Sequence, residues 1–334
     1  MTTRPIKPTP ARPRGESART WIAENGIFLV LLVMVIALAV LSPIVRGEQY
    51  FLTSSNLLQV LLQAAINLLI ALGMTFVIAS GGIDLSVGAV VALAGLFAAY
   101  VMQHGSGPWL GFAAAAVAGA ACGLINGLLI TRLKLQPFIV TLGTMGMFRG
   151  LALIFSEGRP IYDFPGRFNA IFAGTFLGVP TPVWVAGLLS VIAWLVLTQT
   201  RFGKYTLSIG SREETARLAG IHVDRFKLGI YALAGVLTGI AAALLTARLS
   251  SADPTAGTLF ELDAIAATIM GGTSLTGGVA TIPGTIVGAL IISLVRNGMN
   301  ILNVPSFWQQ FVIGAVIILA VVLDQWRKRQ GVRR

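Results

Sequence analysis

A short charged stretch, residues 211–220, separates two long apolar blocks and carries residue types suited to recognition of a partner. Ser211 and Glu214 have the spacing of a capping box, in which side chains satisfy free backbone N–H groups at a helix start. Glu213 and Arg217 form an i,i+4 ion pair in the favoured order. We therefore predict a rigid, water-facing helix with a glycine stop. The residues assigned to partner contact are Ser211, Arg212, Glu213, Glu214, Ala216, Arg217, Ala219 and Gly220.

One acidic residue, Asp84, is placed at the edge of an apolar segment. A charge at the centre of a bilayer costs about 2.5–3.5 kcal/mol, so its side chain is not expected to face lipid. Gly81 and Gly82 interrupt the apolar pattern just before it. In one interpretation the carboxylate accepts the N–H groups freed by that interruption and caps a helix that starts at Leu85. In the other, it contacts a passing solute.

Uncharged polar side chains recur within the apolar segments. They suit a polyhydroxylated solute, which needs many weak donors and acceptors and no fixed charge. They equally suit interhelical hydrogen bonds, worth about 0.6 kcal/mol each, and both interpretations stay open. Together with the glycine interruption, the candidates for a translocation pathway are Gln63, Asn67, Gly81, Gly82, Asp84, Ser86, Asn126, Thr273, Ser274, Thr276 and Asn297.

The sequence lacks the patterns of an enzyme or of a metal protein. It has no phosphate loop, and the nearest string, Gly203-Lys204-Tyr205, lacks both the earlier glycine and the hydroxyl residue. The two histidines, His104 and His222, are expected on opposite sides of a membrane, which argues against a metal site. We expect no cofactor, no metal and no catalytic residue in this chain.

Composition predicts an all-α integral membrane protein. Of the 334 residues, 55% are hydrophobic and only 11% are charged, whereas soluble domains carry about 25% charged residues. About 20 apolar residues cross a bilayer as a helix. The predicted spans, about ten in number, are 26–45, 57–79, 84–103, 109–131, 136–155, 181–199, 226–248, 262–278, 280–298 and 306–324.

The basic residues predict the orientation of these spans. With the N-terminus in the cytoplasm, 18 of the 24 Lys and Arg residues fall on the cytoplasmic side, as the positive-inside rule requires. We therefore expect both termini and residues 211–220 in the cytoplasm. The outer segments 156–180 and 249–263, the second of which contains Asp263, are either solvated loops or a docking surface. The domains are a disordered cytoplasmic tail (1–20), a transmembrane domain (21–324) and a basic cytoplasmic tail (325–334).

Two glycine-rich strings resemble each other. Residues 81–88, Gly-Gly-Ile-Asp-Leu-Ser-Val-Gly, share their two leading glycines, a leucine, a hydroxyl residue and the final glycine with residues 271–278. Duplicated halves with helices interrupted at matching positions are typical of transporters. We predict one glycine-interrupted helix pair in each half.

The strings 81–88, 251–257, 261–267, 270–278 and 307–310 together resemble the ribose-type sugar permeases of ATP-binding-cassette importers. The resemblance covers roughly residues 50–324 and is more specific for the permease family than for the sugar. It implies a subunit of the bacterial inner membrane that pairs with a second copy or a close paralogue. A cytoplasmic ATPase would use the ATP, and a periplasmic or lipid-anchored binding protein would deliver the solute. No nucleic acid is expected.

The resemblance places residues 211–220 in the region that couples the permease to its ATPase. It implies import of a monosaccharide or related polyol by alternating access. Branched-chain amino acids and nucleosides are the alternatives within the class. An ion-coupled secondary transporter is a further alternative, although such proteins usually carry several ionisable residues at mid-membrane.

Overall fold

The computed structural model describes the backbone of residues 14–329 and the side-chain surroundings of residues 26–305, 307–319, 321 and 322. Residues 1–13 and 330–334, which belong to the two predicted tails, lie outside the described residues. The first helix begins at Arg14, so residues 14–20 of the predicted disordered tail are helical. The last helix runs through residues 325–329 of the predicted basic tail.

The described chain is mostly helical, with one short hairpin formed by the two-residue strands β1 (Thr175–Phe176) and β2 (Val179–Pro180). The helices are α1 (Arg14–Arg46), α2 (Ser54–Ala79), α3 (Val87–Gln103), α4 (Pro108–Arg132), α5 (Pro137–Phe155), α6 (Gly166–Phe172), α7 (Thr181–Gln199), α8 (Arg201–Ser211), α9 (Glu213–Leu218), α10 (Val223–Leu249), α11 (Phe260–Met270), α12 (Ile282–Ile301) and α13 (Ser306–Arg329).

A helix lies at each of the ten predicted spans, but only seven helices in the described residues are long and apolar enough to cross a membrane. These seven are α1, from Gly26 onwards, with α2, α4, α5, α7, α10 and α12. The other three predicted spans correspond to α3, α11 and α13. Of these, α3 and α11 are shorter than a full crossing, and the apolar described part of α13 is Phe307–Leu319. Length and hydropathy therefore establish seven candidate spans rather than ten.

Helix α2 lies at the centre of the molecule. Every residue from Ala64 to Ala79 is buried, because α7, α10, α11 and α12 all pack against it. A helix that is apolar on all sides is expected in such a position. By contrast, α1 exposes most of its apolar side chains and lies at the periphery, packed against α12 through Leu38 and Gly298.

Helices α4 and α10 approach each other closely along a row of small residues. A Cβ atom at Gly119 would overlap the carbonyl oxygen of Gly235, and one at Gly239 would overlap the carbonyl oxygen of Ala115. Small residues permit such contact between helix backbones, and in a membrane this packing replaces the hydrophobic driving force. The contact fixes α10, and with it the segment that precedes α10.

The backbone leaves the helical conformation at both glycine-rich strings. Helix α2 ends at Ala79 and α3 begins at Val87, so the predicted helix start at residue 84 is wrong. The predicted span 262–278 is also wrong as a continuous helix, because α11 ends at Met270 and α12 begins at Ile282. A left-handed glycine follows the end of each helix, with φ of 82° at Gly81 after α2 and 92° at Gly272 after α11.

Candidate translocation and coupling site

A helix that the sequence analysis did not predict precedes the charged stretch. Helix α8 ends at Ser211, and the N-cap of α9 is Arg212, whose side chain makes no capping hydrogen bond. The predicted capping box of Ser211 and Glu214 is therefore wrong. The stop was predicted correctly, because Gly220 has a φ of 83°. Helices α8 and α9 thus meet in a bend at residues 211–213, and we call the two helices together the elbow.

The elbow is held by a small core of its own. Ile209 of α8, Ala216 of α9 and Val223 of α10 are buried against one another. Ala216, one of the predicted contact residues, is only 1% exposed, so its side chain stabilises the elbow from within. The outward face of α9 carries Leu218, which is 85% exposed although it is a large apolar residue.

Five charged side chains fasten α9 to its neighbours. The predicted pair is present, because Arg217 Nη2 donates to Glu213 Oε1 at 3.0 Å. Arg217 also donates to Asp224 Oδ1 at 2.8 Å, and Lys227 Nζ donates to Glu213 Oε2 at 2.6 Å, so both ends of the pair reach α10. Lys134, in the connection between α4 and α5, donates to Asp224 Oδ2 at 2.7 Å. These contacts form one continuous ionic network.

The network shifts the titration of its members on α9. Partial burial raises the pKa of Glu213, but hydrogen bonds and charge from Lys227 and Arg217 outweigh it. The net pKa of this carboxyl therefore lies below its ordinary value. Hydrogen bonds to Asp224 and Glu213 raise the pKa of the Arg217 guanidinium. The ion pair between Glu213 and Arg217 is therefore charged on both sides at neutral pH.

Asp84 lies in the first interruption and is only 3% exposed. Its Oδ1 atom accepts hydrogen bonds from the Ser86 backbone N–H at 2.8 Å and from the Ser86 hydroxyl at 2.6 Å. Asn126 Nδ2 in α4 donates to Ser86 Oγ at 2.8 Å, and Thr144 Oγ1 in α5 donates to Asn126 Oδ1 at 2.7 Å. Each side chain in this series donates to the next one on the way to the carboxylate. The series of hydrogen bonds ties the start of α3 to α4 and α5.

The remaining predicted pathway residues do not join this network. Asn297 exchanges two hydrogen bonds with Asn56, at 2.7 and 3.3 Å, and so joins α12 to the start of α2. Ser274 and Thr276 share a hydrogen bond of 2.9 Å within the second interruption. The Thr273 hydroxyl is buried without a hydrogen-bond partner among the described residues. Asn67 is buried in α2, and Gln63 is half-buried one turn earlier.

A buried ion pair joins α11 to α12. Asp263 is 1% exposed, and both of its carboxylate oxygens accept from Arg296, at 2.9 and 3.0 Å. The assignment of Asp263 to an outer loop is therefore wrong, because α11 begins at Phe260 and carries this residue inward. Asp84 is thus not the sole buried acid. Single charges in a membrane interior require such a partner.

Arg149 of α5 stabilises the segment that follows α10. Its Nη1 atom donates to the carbonyl oxygens of Pro254 and Ala256, at 2.6 and 3.0 Å. The same segment packs against α3, because a Cβ atom at Gly88 would overlap the carbonyl oxygen of Gly257. The strings 81–88 and 251–257 are therefore in direct contact.

The elbow contacts the end of α2 and the second interruption through backbone atoms. The Gly278 N–H donates to the carbonyl oxygen of Ala79 at 2.9 Å, which joins the second interruption to the end of α2. Gly210 packs into this contact, because a Cβ atom there would overlap the Ala79 oxygen and lie 2.7 Å from the Gly278 nitrogen. A Cβ atom at Gly277 would lie 2.8 Å from Gly210 Cα. We call Ala79, Gly210, Gly277 and Gly278 the junction.

Residues 56–321 match the family model described as "Branched-chain amino acid transport system / permease component". The chain belongs to this permease family. The ribose import permease of Bacillus subtilis (strain 168) is 49% identical over 302 residues, which cover 90% of this chain and 92% of that protein. The D-allose permease of Escherichia coli (strain K12) is 40% identical over 303 residues, covering 90% and 91%. The L-arabinose permease of Azospirillum brasilense is 40% identical over 323 residues, covering 96% and 93%.

No solved structure matches the permease. Its relatives are transport permeases by name, and its apolar helices make it a multi-pass membrane protein.

Sequence reasoning missed several residues of the permease that the fold brings to these sites. Lys134 and Lys227 looked like ordinary topology signals, because their partners, Asp224 and Glu213, lie 90 and 14 residues away in sequence. Leu218 could have been identified from the sequence, because it is a large apolar residue in a charged stretch that belongs to no apolar segment. The sequence signal for Arg296 was weaker: it is a single basic residue inside a predicted span.

Proposed function

We propose that the permease imports a monosaccharide or related polyol into the cytoplasm by alternating access, driven by ATP hydrolysed on a separate subunit. The single observation that carries this proposal is the likeness to the ribose permease, 49% identical over 90% of the chain. The allose and arabinose relatives narrow the solute to small neutral sugars. The neutral polar residues in the apolar segments agree with such a solute, because it offers hydroxyl groups and no charge.

The proposal includes ten crossings of the bacterial inner membrane with both termini in the cytoplasm. The distribution of basic residues supports this layout, since 18 of 24 fall on one side. In it, α3 and α11 begin or end within the membrane, as the discontinuous helices of transporters do. Residues 156–180 and the segment after α10 then lie outside, where an isolated β-bridge already pairs Ile161 with Ala252.

Helix α9 is the proposed contact with the ATPase. Arg212, Glu214, Leu218 and Ala219 are exposed on its outer side and form the surface offered to a groove on the partner. Glu213, Ala216, Arg217 and Gly220 give the helix its shape and attachment. Ser211, the last residue of α8, packs against Gly278. An exposed leucine between charged residues suits an interface whose apolar centre is ringed by polar contacts.

The proposed pathway passes beside the two interruptions. The candidates to contact solute are Gln63, Asn67 and Thr273. Thr273 has the clearest indication, because its hydroxyl is buried without a hydrogen-bond partner among the described residues. The remaining candidates shape the pathway: Gly81, Gly82, Asp84, Ser86, Asn126, Ser274, Thr276 and Asn297. The permease binds no cofactor or metal in this proposal, pairs with a second copy or a paralogue, and receives solute from an external binding protein.

A branched-chain amino acid is the second candidate solute, because the matching family model is described by that cargo. Nucleosides are a further alternative.

An ion-coupled carrier is the alternative mechanism, and the surroundings of the buried acidic residues Asp84 and Asp263 bear on that alternative. Among the described residues, Asp263 is neutralised by Arg296, and Asp84 is held by neighbouring donors.

Uptake by a strain that lacks its own sugar importers tests the solute. The permease is expressed with its neighbouring ATPase and binding protein, and labelled ribose, allose, arabinose, leucine and a nucleoside are offered in turn. We expect accumulation of at least one of the three sugars and none of leucine. Accumulation of leucine alone contradicts the proposed cargo.

A further inference from the structure

The junction joins three parts of the chain that are far apart in sequence. It consists of the end of α2 at Ala79, the end of α8 at Gly210, and the second interruption at Gly277 and Gly278. All the closest contacts are to backbone or Cβ atoms, and a hydrogen bond of 2.9 Å from the Gly278 N–H to the Ala79 oxygen closes the junction. Gly81, in the first interruption, also faces Gly210, since a Cβ there would lie 3.9 Å from the Gly210 Cα.

Contacts of this kind transmit displacement directly. A backbone that touches another backbone has no flexible side chain between them to absorb a movement, and close-packed interiors transmit strain. On the other side of Gly210, the elbow is rigid, because Ile209, Ala216 and Val223 form its core and the ionic network fastens α9 to α10. A movement of α9 therefore reaches Gly210 with little loss.

We infer that the junction is the point at which movement of α9 is passed to both helix interruptions at once. Gly210 is the residue that positions the parts of the junction against one another. This inference rests on the proposed function. It assigns Gly210 a role that depends on the absence of a side chain, because any Cβ atom displaces Ala79 or Gly278. The junction moves as one unit and stays closed throughout the transport cycle.

The first test replaces Gly210 by alanine in the complete complex of permease, ATPase and binding protein in vesicles. Gly146→Ala is the matched control, because Gly146 lies in α5 and a Cβ atom added there would meet nothing within 4 Å. We expect Gly210→Ala to hydrolyse ATP while the sugar transported per ATP falls at least about tenfold, with the control unchanged. Normal coupling by Gly210→Ala overturns the inference.

The second test uses the unmodified complex, so that a folding defect of the variant leaves the inference falsifiable. Hydrogen exchange of the Gly278 amide is compared between the nucleotide-free complex and the complex trapped with ATP. A closed junction predicts slow exchange in both states. Exchange at least about tenfold faster in one state shows that the junction opens and overturns the inference. A wild-type complex that hydrolyses ATP without any sugar uptake overturns the proposed function instead.

Discussion

Asp84 illustrates how a carboxylate is accommodated among apolar helices. The Ser86 hydroxyl and backbone N–H both donate to one of its oxygens, and Asn126 and Thr144 extend the chain of donors into α4 and α5. A buried polar group that loses its partner costs about 1–3 kcal/mol. The geometry favours a structural role over direct contact with solute, because the carboxylate accepts from Ser86, the N-cap residue of α3. The predicted cap of a helix starting at Leu85 is wrong, because α3 begins at Val87 and has no side-chain cap.

Replacement of Asp84 by asparagine and by alanine separates these interpretations. Asparagine keeps an acceptor oxygen for Ser86, so we expect Asp84→Asn to retain both the thermal midpoint in detergent and most of the uptake. Asp84→Ala leaves the donors of Ser86 unpaired and should lower the midpoint markedly. An Asp84→Asn protein that is stable but inactive would show that the charge itself serves transport.

The Asp263–Arg296 pair predicts a double-mutant cycle. Arg296→Met leaves a buried carboxylate without its partner and should destabilise the protein by about 3–5 kcal/mol. The double variant Asp263→Leu with Arg296→Met removes both charges and should recover much of that loss. Unfolding in detergent measures each variant. Equal stability of the single and double variants would contradict a coupled pair.

For single residues, the sequence identifies an unusual side chain more readily than the residue with which it pairs. Asp84 is conspicuous because Gly81 and Gly82 precede it. Asp263 and Arg296 are separated by 33 residues, and their pairing depends on how α11 and α12 pack, which one sequence does not reveal.

Helix α9 has only six residues and depends on its surroundings for stability. Isolated helices of that length are marginal in water, so the core around Ala216 and the ionic network replace intrinsic stability. Its exposed Leu218 then remains available to a partner.

Leu218→Ser tests that surface. Burial of a leucine in an interface contributes about 1.5–3 kcal/mol, so its loss should weaken binding of the ATPase about tenfold or more. Leu177→Ser is the matched control, since Leu177 is 79% exposed in the hairpin assigned to the opposite side. Titration of purified ATPase against each variant gives the affinity, and equal affinities would remove Leu218 from the interface.

The lowered pKa of Glu213 predicts how acidity affects this element. A carboxyl whose pKa is depressed by folding stabilises the folded state above its unfolded value, about 4.5, and loses that contribution as pH falls through the folded value. The thermal midpoint of wild type should therefore exceed that of Glu213→Gln at about pH 7, and the two should converge well below pH 4.5. Glu214→Gln, which alters an exposed acid on the same helix, is the control, and its thermal midpoint should stay close to that of wild type at about pH 7. A difference that grows on acidification would contradict the assignment.

The sequence predicted the element types well and their ends less well. Apolar runs located a helix at each proposed span, because long hydrophobic segments have few other stable structures. Helix α8 escaped prediction, since its residues mix polar and apolar types and form no long apolar run. The breaks at Gly81 and Gly278 were anticipated, but their extent depends on tertiary contacts.

For the molecule as a whole, the central feature is the route from the elbow to the buried helix α2. The contact between α4 and α10 fixes α10, the ionic network joins α10 to α9, and Gly210 touches the end of α2. The sequence indicated a membrane transporter without a phosphate loop, whereas the three-way junction became visible only in the fold.

The source of energy tests this account most directly. The permease is reconstituted in vesicles alone, with an imposed ion gradient, and in parallel with its ATPase, its binding protein and ATP. Accumulation of labelled sugar against its gradient is then measured in both preparations. The account predicts accumulation only when the ATPase and ATP are present. Uphill accumulation by the permease alone would contradict it.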